Sequence, residues 1–186
     1  LMERVRLARQ VLDGLQYAHS KLVVHRDLKP GNLLCTQSGI PKILDFGIAR
    51  LRDEGQAQAQ TETIYRALSV DYASPEQLRG EAVSTATDIF SMGLVLYEVF
   101  TGERARRWAQ RSIAEVLRDC QEFRLPTHPA VPADLQAILR KATEADAAQR
   151  YASASEFRAD LGRYLDGLPV TARPASFGYV AQRYVR

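Results

Sequence analysis

The segment His25-Arg26-Asp27-Leu28-Lys29-Pro30-Gly31-Asn32 crowds a carboxylate, a cation and an amide into one short stretch. Thirteen residues beyond Asn32 stands Asp45-Phe46-Gly47, and further on comes Ser74-Pro75-Glu76. Asn32 and Asp45 offer hard oxygen ligands of the kind Mg²⁺ prefers. Magnesium keeps several of its waters and bridges phosphate oxygens, so two protein oxygens are a reasonable share. Lys29, two residues past Asp27, adds a cation for an anionic group. Asp27 can take a proton from a hydroxyl, provided a loop held on both sides points it there. Gly47 lets the chain turn sharply after Asp45. Asp and Asn also favour ordinary surface turns. On residue type alone that plainer reading wins; only the order and spacing of the segments lift these residues above it.

The flanking sequence supplies elements to hold them. Residues 1–20 read as an amphipathic helix, with Val5, Ala8, Leu12, Leu15 and Ala18 at three- and four-residue spacing. Leu33–Cys35 and 41–44 are short apolar runs around Gln37-Ser38-Gly39, which predicts a small β-hairpin. Residues 47–73 show no sustained period and read as a long loop, a length that is uncommon without a function. Ser74 is a cap candidate followed by Pro75 at the first helical position. Residues 87–101 are apolar on nearly all sides, which predicts a central buried helix stopped by Gly102. Ser112 with Glu115, and Ser153 with Glu156, read as capping boxes. Leu135, Ile138, Leu139 and Ala142 mark one more helix. From Gly167 prolines break the pattern, and residues 167–186 read as an extension or linker outside the main core.

Composition bounds the class. A chain of 186 residues with 46% hydrophobic and 25% charged residues can bury a core, which excludes wholesale disorder. Cys35 and Cys120 are far apart, so a disulfide framework or zinc knuckle is excluded and a reducing, cytoplasmic setting is expected, or the cytoplasmic portion of a larger membrane protein. The longest mainly apolar stretch, 89–100, falls short of the roughly 20 residues a membrane span needs. The densest basic cluster, Arg104, Arg106, Arg107 and Arg111, reads as a solvated helix end or loop. No nucleic-acid partner is expected of it, because no aromatic platform repeats beside it.

Taken in order, the segments resemble the catalytic loop, the metal-binding D-F-G and the end of the activation segment of the protein kinases. Asp88-Ile89-Phe90-Ser91-Met92-Gly93 resembles the start of that family's central helix, and Arg150 stands where the family has a late arginine. The resemblance covers residues 1 to about 166 and looks most like the bacterial Ser/Thr kinases of the eukaryotic type. It implies a kinase-like C-terminal lobe, mainly α with a small β-hairpin, over residues 1–166. It implies that Asp27 accepts the proton of a Ser or Thr hydroxyl on a protein substrate, and that Lys29 meets the phosphoryl group transferred from ATP. Asn32 and Asp45 would hold Mg²⁺, and Leu34 would form the lower wall of an adenine pocket. His25 would pack on Phe46, Asp88 would brace the catalytic loop rather than merely cap its helix, and Glu76 would pair with Arg150. Arg26 would receive a phosphate from the activation segment, with Thr61, Thr63 and Tyr65 as candidate acceptors. Ser69 keeps a hydroxyl where the family usually has threonine, so contact with Asp27 and Lys29 is expected.

One departure is large. A kinase needs a Gly-rich loop over the phosphates, a strand lysine and a helix glutamate, all upstream of the catalytic loop. Only 24 residues precede His25, and no G-x-G-x-x-G occurs anywhere. The nucleotide-binding N-terminal lobe is therefore expected to be absent from these residues, leaving little activity in this chain alone. Two alternatives stay beside this reading: a non-catalytic kinase-like binding module, and a small-molecule phosphotransferase, against which D-F-G, S-P-E and Lys29 argue.

Overall fold

The first helix, α1, runs Met2–Ser20, with Val5, Ala8, Leu12, Leu15 and Ala18 buried along one face. Residues 1–46, 69–109 and 111–174 are described by a computed structural model. Helix α1 stops where Leu22 takes a left-handed φ of 60°, and the N–H groups of Lys21, Leu22 and Val23 close onto the carbonyls of Ala18 and His19. The segment 25–32 follows and runs into β1 (Leu33–Cys35), which pairs antiparallel with β2 (Pro41–Ile43). Leu33 faces Ile43 and Cys35 faces Pro41, with Gly39 turning at φ 79°. The hairpin lies against α1.

The short helix α2 (Pro75–Leu78) opens on a complete capping box between Ser74 and Gln77. The central helix α3 (Thr85–Thr101) is capped by Ser84 and Thr87 and ends at Gly102 in the left-handed region, φ 81°. The sequence pattern starts this helix at 87 with Asp88; it begins two residues earlier, because Ser84 caps it. Ile89, Phe90, Met92, Leu94, Val95 and Leu96 fill the main core, and burying each such side chain fully contributes about 1.5–3 kcal/mol. Helix α4 (Ile113–Glu122) packs on α2 and closes a smaller apolar cluster of Val70, Ala73, Leu78, Trp108, Val116 and Cys120. Helix α5 (Ala133–Ala142) packs against α3 at Gly93, where a Cβ would come within 2.6 Å of Thr143 Cγ2 and 3.0 Å of Ala142 Cβ. Helix α6 (Ala154–Leu165) packs on α1 and α5. Among the described residues no helix is long and apolar enough to cross a membrane.

Three sequence expectations need correction. Ser153 caps α6 by accepting the Glu156 N–H, but Glu156 reaches past it to the Ala152 N–H, so the box is not reciprocal. Residues 167–174 do not leave the core. Gly167 (φ 71°) closes α6, with the Gly167 and Leu168 N–H groups on the carbonyls of Tyr164 and Arg163. The chain then turns back, Val170 enters the main core, and the buried Asp160 accepts the N–H groups of Thr171 and Ala172 and the hydroxyl of Tyr151. Residues 175–186 lie outside the described residues. Finally, one member of the basic cluster is not solvated: Arg104, Arg107 and Arg111 are exposed, as expected, but Arg106 is buried.

Candidate active site

The loop between α1 and β1 is held from below by Asp88, which is fully buried on the first turns of α3. Its carboxylate accepts the N–H of His25 at 2.7 Å and of Arg26 at 2.8 Å, and Nε2 of His19 lies 2.8 Å away. Two adjacent amides on one carboxylate force a tight local bend, and Arg26 adopts φ 69°. Such a left-handed conformation is uncommon outside glycine and persists only when the surroundings over-determine it. Gln77 completes the clamp, donating from Nε2 to the Arg26 carbonyl at 2.7 Å.

His25 is fully buried and works by two bonds. Its Nε2 donates to the Leu44 carbonyl at 2.8 Å, and its Nδ1 accepts the Asp27 N–H at 3.2 Å. Together these select the tautomer with the proton on Nε2. The ring packs on Phe46 with centroids 4.7 Å apart. The histidine thus ties the backbone of Asp27 to the strand end that leads into Asp45.

Asp27, Lys29, Asn32 and Ser69 are brought together. Lys29 Nζ donates to Asp27 Oδ2 at 3.0 Å and to Ser69 Oγ at 3.1 Å. Asn32 Nδ2 donates to the Asp27 carbonyl at 2.8 Å, which leaves its Oδ1 as the atom able to meet a cation. The Asn32 carbonyl accepts the Leu44 N–H at 2.8 Å, fastening the loop to the hairpin. Asp45 sits at φ 50°, another left-handed non-glycine position, after Leu22 and Arg26. The donors fit a magnesium ion in kind: an amide oxygen and a carboxylate, both hard, on either side of the Asn32–Leu44 link. Among the described residues no group of three or more His, Cys, Asp or Glu side chains could hold a metal, so any ion here relies on this smaller set. Leu34 lies on β1 and is 55% exposed. Thr61, Thr63, Tyr65 and Gly47 lie outside the described residues.

Glu76 and Arg150 form a buried, two-pronged ion pair at 2.8 and 2.9 Å. Burial alone would raise the Glu76 carboxyl, but the hydrogen bonds and charge of Arg150 outweigh it and hold the group at about 2. Thr87 donates to the same carboxylate at 2.8 Å. Arg150 also donates to the carbonyls of Ala86, Glu144 and Ala145. One guanidinium thereby joins the end of the segment after Asp45 to α3 and to the turn before α6.

Several partners in this network escape the sequence reading. Gln77 had a signal, since Ser74 with Gln77 three residues on is a capping-box pattern. His19 carries no motif and reads as either structural or exposed; the structure buries it on Asp88. Asp71 and Arg106 sit in loops and read as solvated charges. Burial forces the Arg106 guanidinium down to about 9. Tyr72 donates to Glu98, and burial first, then that carboxylate, raise its phenol well above the usual range.

The sequence pattern of the protein kinase domain matches residues 2–160. The chain is 39% identical over 166 residues to a probable serine/threonine-protein kinase PknB of Bifidobacterium longum, covering 87% of this chain and 24% of that protein. It is 36% identical to a probable serine/threonine-protein kinase of Streptomyces coelicolor, with 94% of this chain and 26% of that protein covered. It is also 36% identical to the serine/threonine-protein kinase PknB of Mycobacterium tuberculosis, with 86% and 26% covered. The chain thus spans about a quarter of the length of these relatives.

Proposed function

The chain belongs to the protein kinase family, and on that premise we propose that residues 1–166 are the helical lobe of a serine/threonine kinase. The observation that carries this is Lys29 Nζ set between Asp27 Oδ2 and Ser69 Oγ, at 3.0 and 3.1 Å. A lysine there puts a fixed cation beside the carboxylate that receives the substrate hydroxyl, which is what phosphoryl transfer asks of a protein: positioning and charge neutralisation. The hydroxyl oxygen of a Ser or Thr bonds to the γ-phosphorus of ATP as the bond to the bridging oxygen breaks. The hydroxyl proton passes to Asp27, and ADP leaves. Lys29 neutralises charge on the phosphoryl group in transit. His25, Asn32 and Asp88 hold the loop so that Asp27 points at one place.

Kinases of this family use ATP and a divalent metal. In this chain Asn32 Oδ1 and the Asp45 carboxylate would hold Mg²⁺, which when bound neutralises the phosphate oxygens. Leu34 would lie under the adenine. The sequence has no G-x-G-x-x-G loop, so the grip on the triphosphate falls to a second lobe, and the 186 residues alone transfer little phosphate. Protein substrates follow from the family, and phosphate on Thr61 or Thr63 would pair with Arg26. A cytoplasmic setting follows from the use of ATP. The test is phosphoamino-acid analysis after incubation of the chain, with whatever sequence flanks it in its gene, with ATP, Mg²⁺ and a generic protein substrate. Phosphoserine and phosphothreonine are expected; phosphotyrosine alone, or no transfer, would overturn the reading.

A further inference from the structure

Arg106 has no task in the reaction just described, yet it is only 5% exposed. Its guanidinium lies 4.2 Å from the Trp108 ring centroid, 5.2 Å from Phe123 and 5.4 Å from Phe90. Burying a guanidinium without a carboxylate directly on it is costly, and an apolar side chain would fill an aromatic box more cheaply. What only a donor can do is satisfy carbonyls. Arg106 Nε donates to the Asp71 carbonyl at 2.9 Å and Nη2 donates to the Ala73 carbonyl, while Nη1 is buried with no hydrogen-bond partner among the described residues.

Those carbonyls belong to the segment that lines the site. Asp27, Ser69, Tyr72, Ala73 and Gln77 all border one narrow crevice, where the segment packs beside the catalytic loop. The segment is sewn to the catalytic loop at both ends, by Ser69 to Lys29 and by Gln77 to the Arg26 carbonyl. Its middle is sewn to the loop after α3. There Asp71 Oδ1 accepts the N–H groups of Trp108 at 2.5 Å and Ala109 at 3.2 Å, and Oδ2 accepts from Arg104 at 3.0 Å. Side chain and main chain thus cross in both directions between 71–73 and 104–109. Asp71 gathers the N–H groups of the later loop, and Arg106 gathers the carbonyls of the earlier segment, at residues 71 and 73.

We propose that Arg106 is a positioning residue for the protein substrate: by holding the 71 and 73 carbonyls it sets where the 69–77 segment stands beside Asp27, and with it the surface that a Ser- or Thr-bearing peptide meets on reaching that carboxylate. This rests on the kinase reading, so its test has an arm that does not. Arg106→Met removes both donors and keeps the apolar stem; Arg106→Lys keeps a charge on a single nitrogen, which lacks the guanidinium fork that spans two carbonyls.

In the chain with its flanking sequence, Arg106→Met raises the KM for a Ser/Thr peptide about tenfold, the effect of about one well-made hydrogen bond. The KM for ATP stays within about twofold, and Arg106→Lys falls between Arg106→Met and the parent. In the 186-residue chain, amide exchange of residues 69–77 speeds up in Arg106→Met while that of α1 and α6 does not. If the parent transfers no phosphate, the kinase reading fails, and the exchange arm still decides whether Arg106 holds this segment. Equal rises in both KM values, or unchanged exchange at 69–77, overturn the proposal. Should Arg106→Met not fold, Arg106→Lys decides: a peptide KM equal to the parent's overturns it, and a selective rise supports it.

Discussion

Replacing Arg150 by Met tests how Glu76 and the short helix α2 are anchored. The substitution keeps most of the buried apolar stem and deletes the guanidinium. It strips Glu76 of bonds at 2.8 and 2.9 Å and leaves the carbonyls of Ala86, Glu144 and Ala145 without their donor. The carboxyl of Glu76, held at about 2 against an ordinary 4.5, returns to its ordinary value or above. A shift of that size is worth about 3 kcal/mol at neutral pH. The general cost of orphaning one member of a buried pair is about 3–5 kcal/mol, so the two routes agree. With a urea slope of about 2 kcal/mol/M for a domain of this size, the midpoint falls by about 1.5–2.5 M. The pH dependence carries an independent sign. Because the folded carboxyl titrates below the unfolded one, its stabilisation is full above about pH 4.5 and is lost as pH falls toward 2. The parent therefore weakens through that window, and Arg150→Met shows a flatter acid limb. Glu76→Gln combined with Arg150→Met costs less than the sum of the single changes, since each single change leaves a buried charge alone. A midpoint shift under about 0.3 M, or an acid limb identical in parent and variant, would refute the reasoning.

Gly93→Ala should lower stability by about 1–3 kcal/mol, although alanine is the better helix former, because its Cβ meets Thr143 Cγ2 at 2.6 Å. Thr143→Ser in the same chain, which removes that methyl and keeps the hydroxyl, should recover part of the loss in thermal unfolding. Asp88→Asn should cost about 2–4 kcal/mol, because an amide presents only one oxygen to the N–H groups of His25 and Arg26. Hydrogen exchange should show those amides losing protection; full protection at both would contradict the clamp.

Much of this was legible from the chain because it depends on local pattern. The one-face spacing of Val5, Leu12 and Leu15 defines α1, and helix ends are marked locally, by the capping hydroxyls of Ser74 and Ser112 and by the left-handed backbone of Gly102. The order His25–Asn32, Asp45–Phe46, Ser74–Glu76 points to Lys29 and Asn32 beside Asp27, to His25 on Phe46 and to Glu76 on Arg150. The rest depends on partners far along the chain. Arg106 looks like a solvated charge until Phe90, Trp108 and Phe123 close around it. Asp88 looks like a helix opener until a loop some sixty residues earlier spends its carboxylate, leaving the cap to Ser84. Prolines after Gly167 read as an exit from the core, but the buried Asp160 turns that segment back.

The central claim is that Asp27 receives the substrate hydroxyl proton in a loop whose geometry does not depend on its carboxylate charge alone. Transfer of the γ-phosphate to a Ser/Thr peptide by Asp27→Asn, in the chain with its flanking sequence, tests it most directly when unfolding is measured on the same sample. The account predicts a fall in turnover of about 10²–10⁴-fold with the unfolding midpoint nearly unchanged. Turnover equal to the parent's would contradict it.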